Sequence, residues 1–456
     1  MIRMKEINEY IFAPFNTFTY IIDDKLLFGN ISQLQAKMMD NLNNEPVYLD
    51  KQKKYRLQWE CEQCLDFKLS KGVFAPPGRD VSCIMACLVH DASGSRSFPI
   101  PDEISDVFSA GSLHFNDVRF YFYESGVGTC SAWVKLEHPD GIDILQLEAA
   151  SERLNELFKS YFEEIAYELT VRFVNAVKRN EIRRLVMDFL PDVKEVDRQK
   201  NFIPWTHRIY HVHDHPDLIS MKNPGEPFRT LVTPTRQMDI NDFSIYDNRY
   251  IYFGWGHSLI FTKGGEDGYS QTSRPVTDYV RLVEIAQAKW QFLDVLSDIL
   301  HYSVLSFNRL FSKMNIQRLQ KTITMIRGFR NAIERILADF RGIKITFDTE
   351  KRILLDELHD RWLTSKLMDR LDYCMQQIED FLEELYQRQK EQREESLNVI
   401  ALLFTILGAI EVIDLFIGVF EPQIAITTTI KVIILIVGTV AVAMMIMAYL
   451  RLSTRG

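Results

Sequence analysis

Two carboxylates sit where charge is costly. Glu411 and Asp414 are the only charged residues in the 24-residue stretch Leu397 to Phe420, LNVIALLFTILGAIEVIDLFIGVF. Ionisable groups inside such an apolar helix face a bundle interior, a water-filled path or a partner charge. Three residues apart, the two share a helix face, and Phe404, Gly408, Gly418 and Glu421 continue that stripe along the run. Repeated around a symmetric oligomer, the stripe becomes rings of carboxylates that favour cations. The competing reading places Glu411 or Asp414 near the helix end, paired with Lys431 or interfacial water. We take the pore reading, with Phe404, Gly408, Glu411, Asp414, Gly418 and Glu421 as its lining.

Three further sets of residues could do chemistry. His211, His213 and His215 alternate, so on a strand all three fall on one face, with His207 close by. Imidazoles so arranged suit a metal or an anion, although Pro216 ends the strand and solvated histidines are the commoner outcome there. Arg172, Lys178, Arg179, Arg183 and Arg184 lie on a helical run before Pro191. Guanidinium forks fit phosphates, so a nucleotide or other anionic ligand could dock on them; the alternative is a solvated face balanced by Glu163, Glu164 and Glu168. Cys61-x-x-Cys64 with Cys83 and Cys87 roughly matches a four-thiolate zinc pattern. Cys83 and Cys87 fall in an apolar strand-like run, where thiols pack as small hydrophobes. No P-loop lysine motif, Gly-x-Ser-x-Gly elbow or His-Glu-x-x-His is found, so no enzyme activity and no resident cofactor are expected.

These residues need elements to hold them. A chain of 456 residues suits two or three domains, at roughly 150 residues each. We expect a cytosolic α+β ligand-sensing domain over 1–275, long stalk helices over 276–395 and a two-helix transmembrane hairpin over 396–450. Leu397–Phe420 and the uncharged 19-residue run Val432–Leu450 each reach the roughly 20 residues that cross a bilayer. Arg388, Lys390 and Arg393 precede the first run and Arg451 and Arg455 follow the second, which predicts both termini on the cytoplasmic side. No signal peptide is read at the N-terminus. Six dispersed cysteines do not make a disulfide framework. The net charge of −9 argues against direct nucleic-acid binding.

Within the first domain, strands are expected at Val81–Val89, Val118–Glu124, Thr129–Leu136, Ile209–His213 and Arg249–Thr262. The second and third of these should form a hairpin through Ser125-Gly126-Val127-Gly128. A helical run is expected from Leu145 to Leu190. Helices follow at Tyr279–Lys313 and from Ile316 to a break at Arg341-Gly342. A last one starts near Thr349 and runs without a breaker into the membrane, roughly 70 residues in all. Its a/d-like spacing suits self-association.

An α/β N-terminal domain, long helices and two C-terminal membrane runs resemble the CorA-type magnesium transporters. The resemblance implies a homopentameric funnel in the bacterial inner membrane, carrying Mg2+ or another cation along the first membrane helix. The family's Gly-Met-Asn at the outer end of that helix is replaced by Gly418-Val419-Phe420, so the glycine matches and the selectivity asparagine does not. Glu411 falls near a position where the family has a neutral hydroxyl residue. What is implied is a cation pathway less selective than a magnesium transporter. The chain is also similar to a CorA-like group associated with type III CRISPR antiviral defence, which answers to nucleotide second messengers. On that resemblance, a nucleotide gates the pore. The alternative from another class is a membrane-tethered coiled-coil scaffold without transport.

Overall fold

In a computed structural model of the chain, the described residues are 2–17, 19–21, 39–44, 47–48, 55–62, 83–90, 111–122, 127–178, 186–188, 203–233, 240–245, 247–263, 277–311 and 349–420, with scattered helical positions over 320–337 and 432–444. They fall into two compact units, one of residues 1–307 and 332–375, the other of 308–331 and 376–456.

The first unit is built on a mixed nine-stranded sheet. Its strands are β1 (Arg3–Asn16), β3 (Val47–Tyr48), β4 (Tyr55–Glu62), β5 (Cys83–His90), β6 (Ser112–Phe122), β7 (Val127–Asp143), β9 (His207–His213), β10 (Arg249–Phe253) and β11 (His257–Thr262). Their order is β10-β11-β9-β1-β7-β6-β5-β4-β3. Only β11 and β9 pair in parallel. β2 (Thr19–Ile21) and β8 (Val186–Asp188) form a separate antiparallel pair. At the β10 edge, Phe243 N donates to Ile251 O at 3.0 Å and Ile251 N donates to the Asp242 carboxylate at 2.9 Å. The segment before β10 thereby covers backbone groups that would otherwise invite another strand.

Period-two patterning in β1 explains the layers. Ile7, Ile11, Ala13 and Phe15 face the long helix α1 (Ile144–Lys178), which returns Leu147, Leu154, Phe158, Phe162, Leu169 and Phe173 at four- and seven-residue spacing. Tyr10 and Phe12 face the other way, toward Val280 and Val283 of α2 (Thr277–Phe311) and Leu354 and Leu358 of α3 (Thr349–Arg361). The sheet is covered on both sides, so β1 reads as an almost unbroken buried run rather than an alternation. Each of these aromatic side chains contributes about 2–3 kcal/mol by leaving water. α1 opens with a reciprocal cap: Gln146 N donates to Asp143 Oδ1 at 2.9 Å and Asp143 N donates to Gln146 Oε1 at 3.2 Å.

Several expectations need correction. The central strand β1 was not among the expected strands. The run over 249–262 is two strands with a turn at Gly254-Trp255-Gly256, closed by Gly254 N donating to His257 O at 2.7 Å. α1 ends at Lys178 rather than continuing to Leu190, and Val186–Asp188 is strand. The last helix is not continuous from Thr349: α3 stops at Arg361 and α4 spans Thr364–Phe420. At the break Leu363 adopts φ 53°, and the Trp362 carbonyl accepts from Trp290 Nε1 at 2.8 Å instead of continuing the helical ladder. Burying Trp362 beside the sheet redirects the chain where no glycine or proline marks a stop.

The second unit contains the rest of α4. Ile378, Phe381, Leu382 and Leu385 are buried, as are Ile323 and Ile326 of the 320–331 segment. Arg330 bonds Glu379 and Gln320 bonds Gln389, so these two helical segments run antiparallel. From Tyr386 on, α4 is mostly exposed, first charged and then apolar. It is the one helix among the described residues long and apolar enough to cross a membrane by length and composition. Of the run 432–450, the described positions are helical, with Val432, Ile433, Ile436, Val437, Val440 and Met444 exposed. The connection 421–431, Glu421 included, lies outside the described residues.

Candidate functional site

A polar cluster is set into the core between β1, α1, β9 and β11. Glu9 occupies a position of β1 whose neighbours on that face, Ile7 and Ile11, are apolar, and Ser151 interrupts the apolar stripe of α1 opposite it. Both are fully buried. Ser151 Oγ donates to Glu9 Oε1 at 2.5 Å and lies 2.7 Å from the Tyr210 hydroxyl. Arg208 Nη1 donates to the same Ser151 oxygen at 2.8 Å. Arg208 Nη2 continues the chain outward, to Glu152 and to His257 Nε2. The Tyr210 and His257 rings lie parallel, 6.5 Å between centroids. Around the rim, Thr206 bonds Asn155 and Lys159 Nζ donates to Pro204 O at 3.3 Å.

Burial sets the charges of this cluster, because a low-dielectric site disfavours the ionised form. It raises the Glu9 carboxyl and the Tyr210 hydroxyl above their ordinary ranges. It pushes His257 down to about 3, with the Arg208 guanidinium adding to the shift. His257 is therefore neutral at pH 7, and its Nε2 accepts from Arg208. His207, bonded to Ser258 Oγ at 2.9 Å, is lowered well below the usual histidine value, first by burial and then by His257 and Arg208. A second buried ion pair lies on the opposite face of the sheet: Arg281 Nη1 meets Glu284 Oε2 at 2.8 Å, and Thr129 Oγ1 donates to Glu284 Oε1 at 3.1 Å.

The residues singled out from sequence are distributed differently. His211 and His213 come together on Thr262 Oγ1, at 3.0 and 2.8 Å from their ring nitrogens. His215 does not join them: beyond Asp214, at φ 44°, its Nε2 lies 3.0 Å from the Arg3 carbonyl. Burial lowers His211 to about 3, with His213 adding to the effect. No group of three or more potential metal ligands is found among the described residues. Cys61 pairs in register with Ile84, and Cys83 with Glu62, so the two cysteine positions fall on opposite faces of the sheet; Cys64 lies outside the described residues. Arg172 pairs with Glu168 one turn earlier on α1 at 3.1 Å. Lys178 closes α1, and Arg179, Arg183 and Arg184 lie outside the described residues.

On α4, Phe404, Gly408 and Glu411 are exposed, and Asp414 and Gly418 continue the helix toward Phe420. Among the described residues, nothing comes within 4 Å of where a side chain at Gly408 would begin. No family model matches the chain, and a search of curated proteins finds none similar to it. The Glu9–Ser151–Arg208 cluster was missed from sequence. Its signal was a glutamate inside an apolar run of β1 and a serine inside the apolar stripe of α1.

Proposed function

We propose that this chain is an oligomeric membrane cation channel or transporter of the CorA-like type, gated by a ligand at its sheet domain. The observation that carries the reading is the unbroken helix α4. Its apolar stretch is not buried against the other described residues, and that stretch holds Glu411 on an exposed face. An exposed apolar helix is stable in lipid and a liability in water, while a carboxylate on it calls for water or a neighbouring subunit. The reading has the run 432–450 complete a hairpin and several copies, five in the CorA arrangement, bring Phe404, Gly408, Glu411, Asp414, Gly418 and Glu421 around one axis. Mg2+ is one candidate ion, and the missing Gly-Met-Asn favours a broader selection. The ligand would be a small molecule such as a nucleotide, with antiviral signalling as its setting.

The test is flux of Mg2+, K+ and Na+ through liposomes holding the purified oligomer, with and without nucleotides inside and outside. Cation flux that responds to a nucleotide supports both halves of the reading. Absence of flux from folded, oligomeric protein would leave α4 as the tether of a scaffold.

A further inference from the structure

Two arginines buried among the described residues of the sheet domain are neutralised in different ways. Arg281 faces Glu284, which is itself fully buried, so that pair is closed to solvent. Arg208 is just as buried, its side chain 3% exposed, but its partner Glu152 is 57% exposed. Inward of Arg208, Glu9 is a weakened counter-charge because burial raises its carboxyl pKa. The guanidinium is thus held from behind by Ser151 and roofed by a carboxylate that solvent can reach. Beside the roof, His257 is 17% exposed, and its Nε2 lies 3.8 Å from the Glu152 carboxylate. Arg208 N also donates to Gly256 O at 3.0 Å, which fixes the Gly254-Trp255-Gly256 turn against this strand. Trp255 on that turn is 47% exposed.

A buried cation under a removable carboxylate fits an anion-binding site in its unliganded form. We propose that Arg208 anchors the phosphate group of a small molecule, which takes the place of Glu152 on the guanidinium. Arginine suits this task because its planar, always-charged group donates along fixed directions to phosphate oxygens. Glu152 keeps the unliganded site neutral and swings into solvent when the anion enters. This deepens the ligand-gated reading by naming the ligand's anchor, and it rests on that reading for its role in gating.

The experiment is calorimetric titration of inorganic pyrophosphate into full-length protein in detergent, where flux plays no part. Failure of the channel reading therefore leaves the result untouched. Wild type should bind saturably. Glu152→Gln should bind about threefold to tenfold more tightly, because one exposed carboxylate no longer competes with the anion. Glu156→Gln, one turn further along α1 at an exposed position, makes the same charge change and should leave affinity at the wild-type value. No saturable binding by wild type or Glu152→Gln would overturn the proposal. So would a gain with Glu156→Gln as large as with Glu152→Gln, because that would mark a general charge effect.

Discussion

Replacing His211 with glutamine should change how stability depends on pH while barely changing stability at neutral pH. His211 is buried and neutral, hydrogen-bonded through Nε2 to Thr262, and its pKa lies at about 3 against 6.5 in an unfolded chain. The folded value is depressed, so below pH 6.5 the unfolded chain takes up a proton that the folded chain refuses. The stability that His211 contributes is therefore complete above pH 6.5 and is lost as pH falls from there toward 3. The loss runs at about 1.4 kcal/mol per pH unit, or about 2 kcal/mol by pH 5. Glutamine cannot charge and can keep the Thr262 contact, so the variant should lie within about 1 kcal/mol of wild type at pH 7.5. Denaturant midpoints followed by tryptophan fluorescence, on full-length protein in detergent at pH 7.5, 6 and 5, give the comparison. The variant should gain on wild type by about 2 kcal/mol between the highest and lowest pH. A difference that stays constant over that range would refute the burial argument for His211.

Other changes probe other joints. Leu363→Gly should raise stability by about 0.5–1 kcal/mol, because the left-handed backbone at the α3–α4 break costs leucine more than glycine; thermal unfolding reports it. Glu284→Ala removes the buried carboxylate that Arg281 meets in the core and should cost about 3–5 kcal/mol in chemical denaturation. Asp143→Ala removes one half of the cap on α1 and should cost about 1 kcal/mol, seen as faster hydrogen exchange in the first turn of that helix.

The sequence made the hairpin β6–β7, the strand β9 and the helix α2 legible, because local turn residues and period carry those elements. It hid β1, since a strand covered on both faces loses its alternation and reads as an apolar run with stray charges. The break at Trp362-Leu363 was invisible for a related reason. Leucine ordinarily continues a helix, and the tertiary contacts of Trp362, buried with its carbonyl accepting from Trp290, favour the left-handed turn. The same blindness covered the polar cluster. Glu9, Ser151 and Arg208 are far apart in the chain, and each alone reads as one polar residue in apolar surroundings. The three histidines show the converse, for spacing put them on one face and the end of β9 separated His215 from the other two. The helix that carries Phe404, Gly408 and Glu411 was readable because it needs only its own period.

The central claim, that Glu411 lines a cation path, is tested most directly by Glu411→Gln in reconstituted liposomes. The account predicts that wild type passes cations and that the variant, folded and assembled as wild type, loses most of that flux or its preference for divalent ions. Unchanged flux with unchanged ion preference would contradict it.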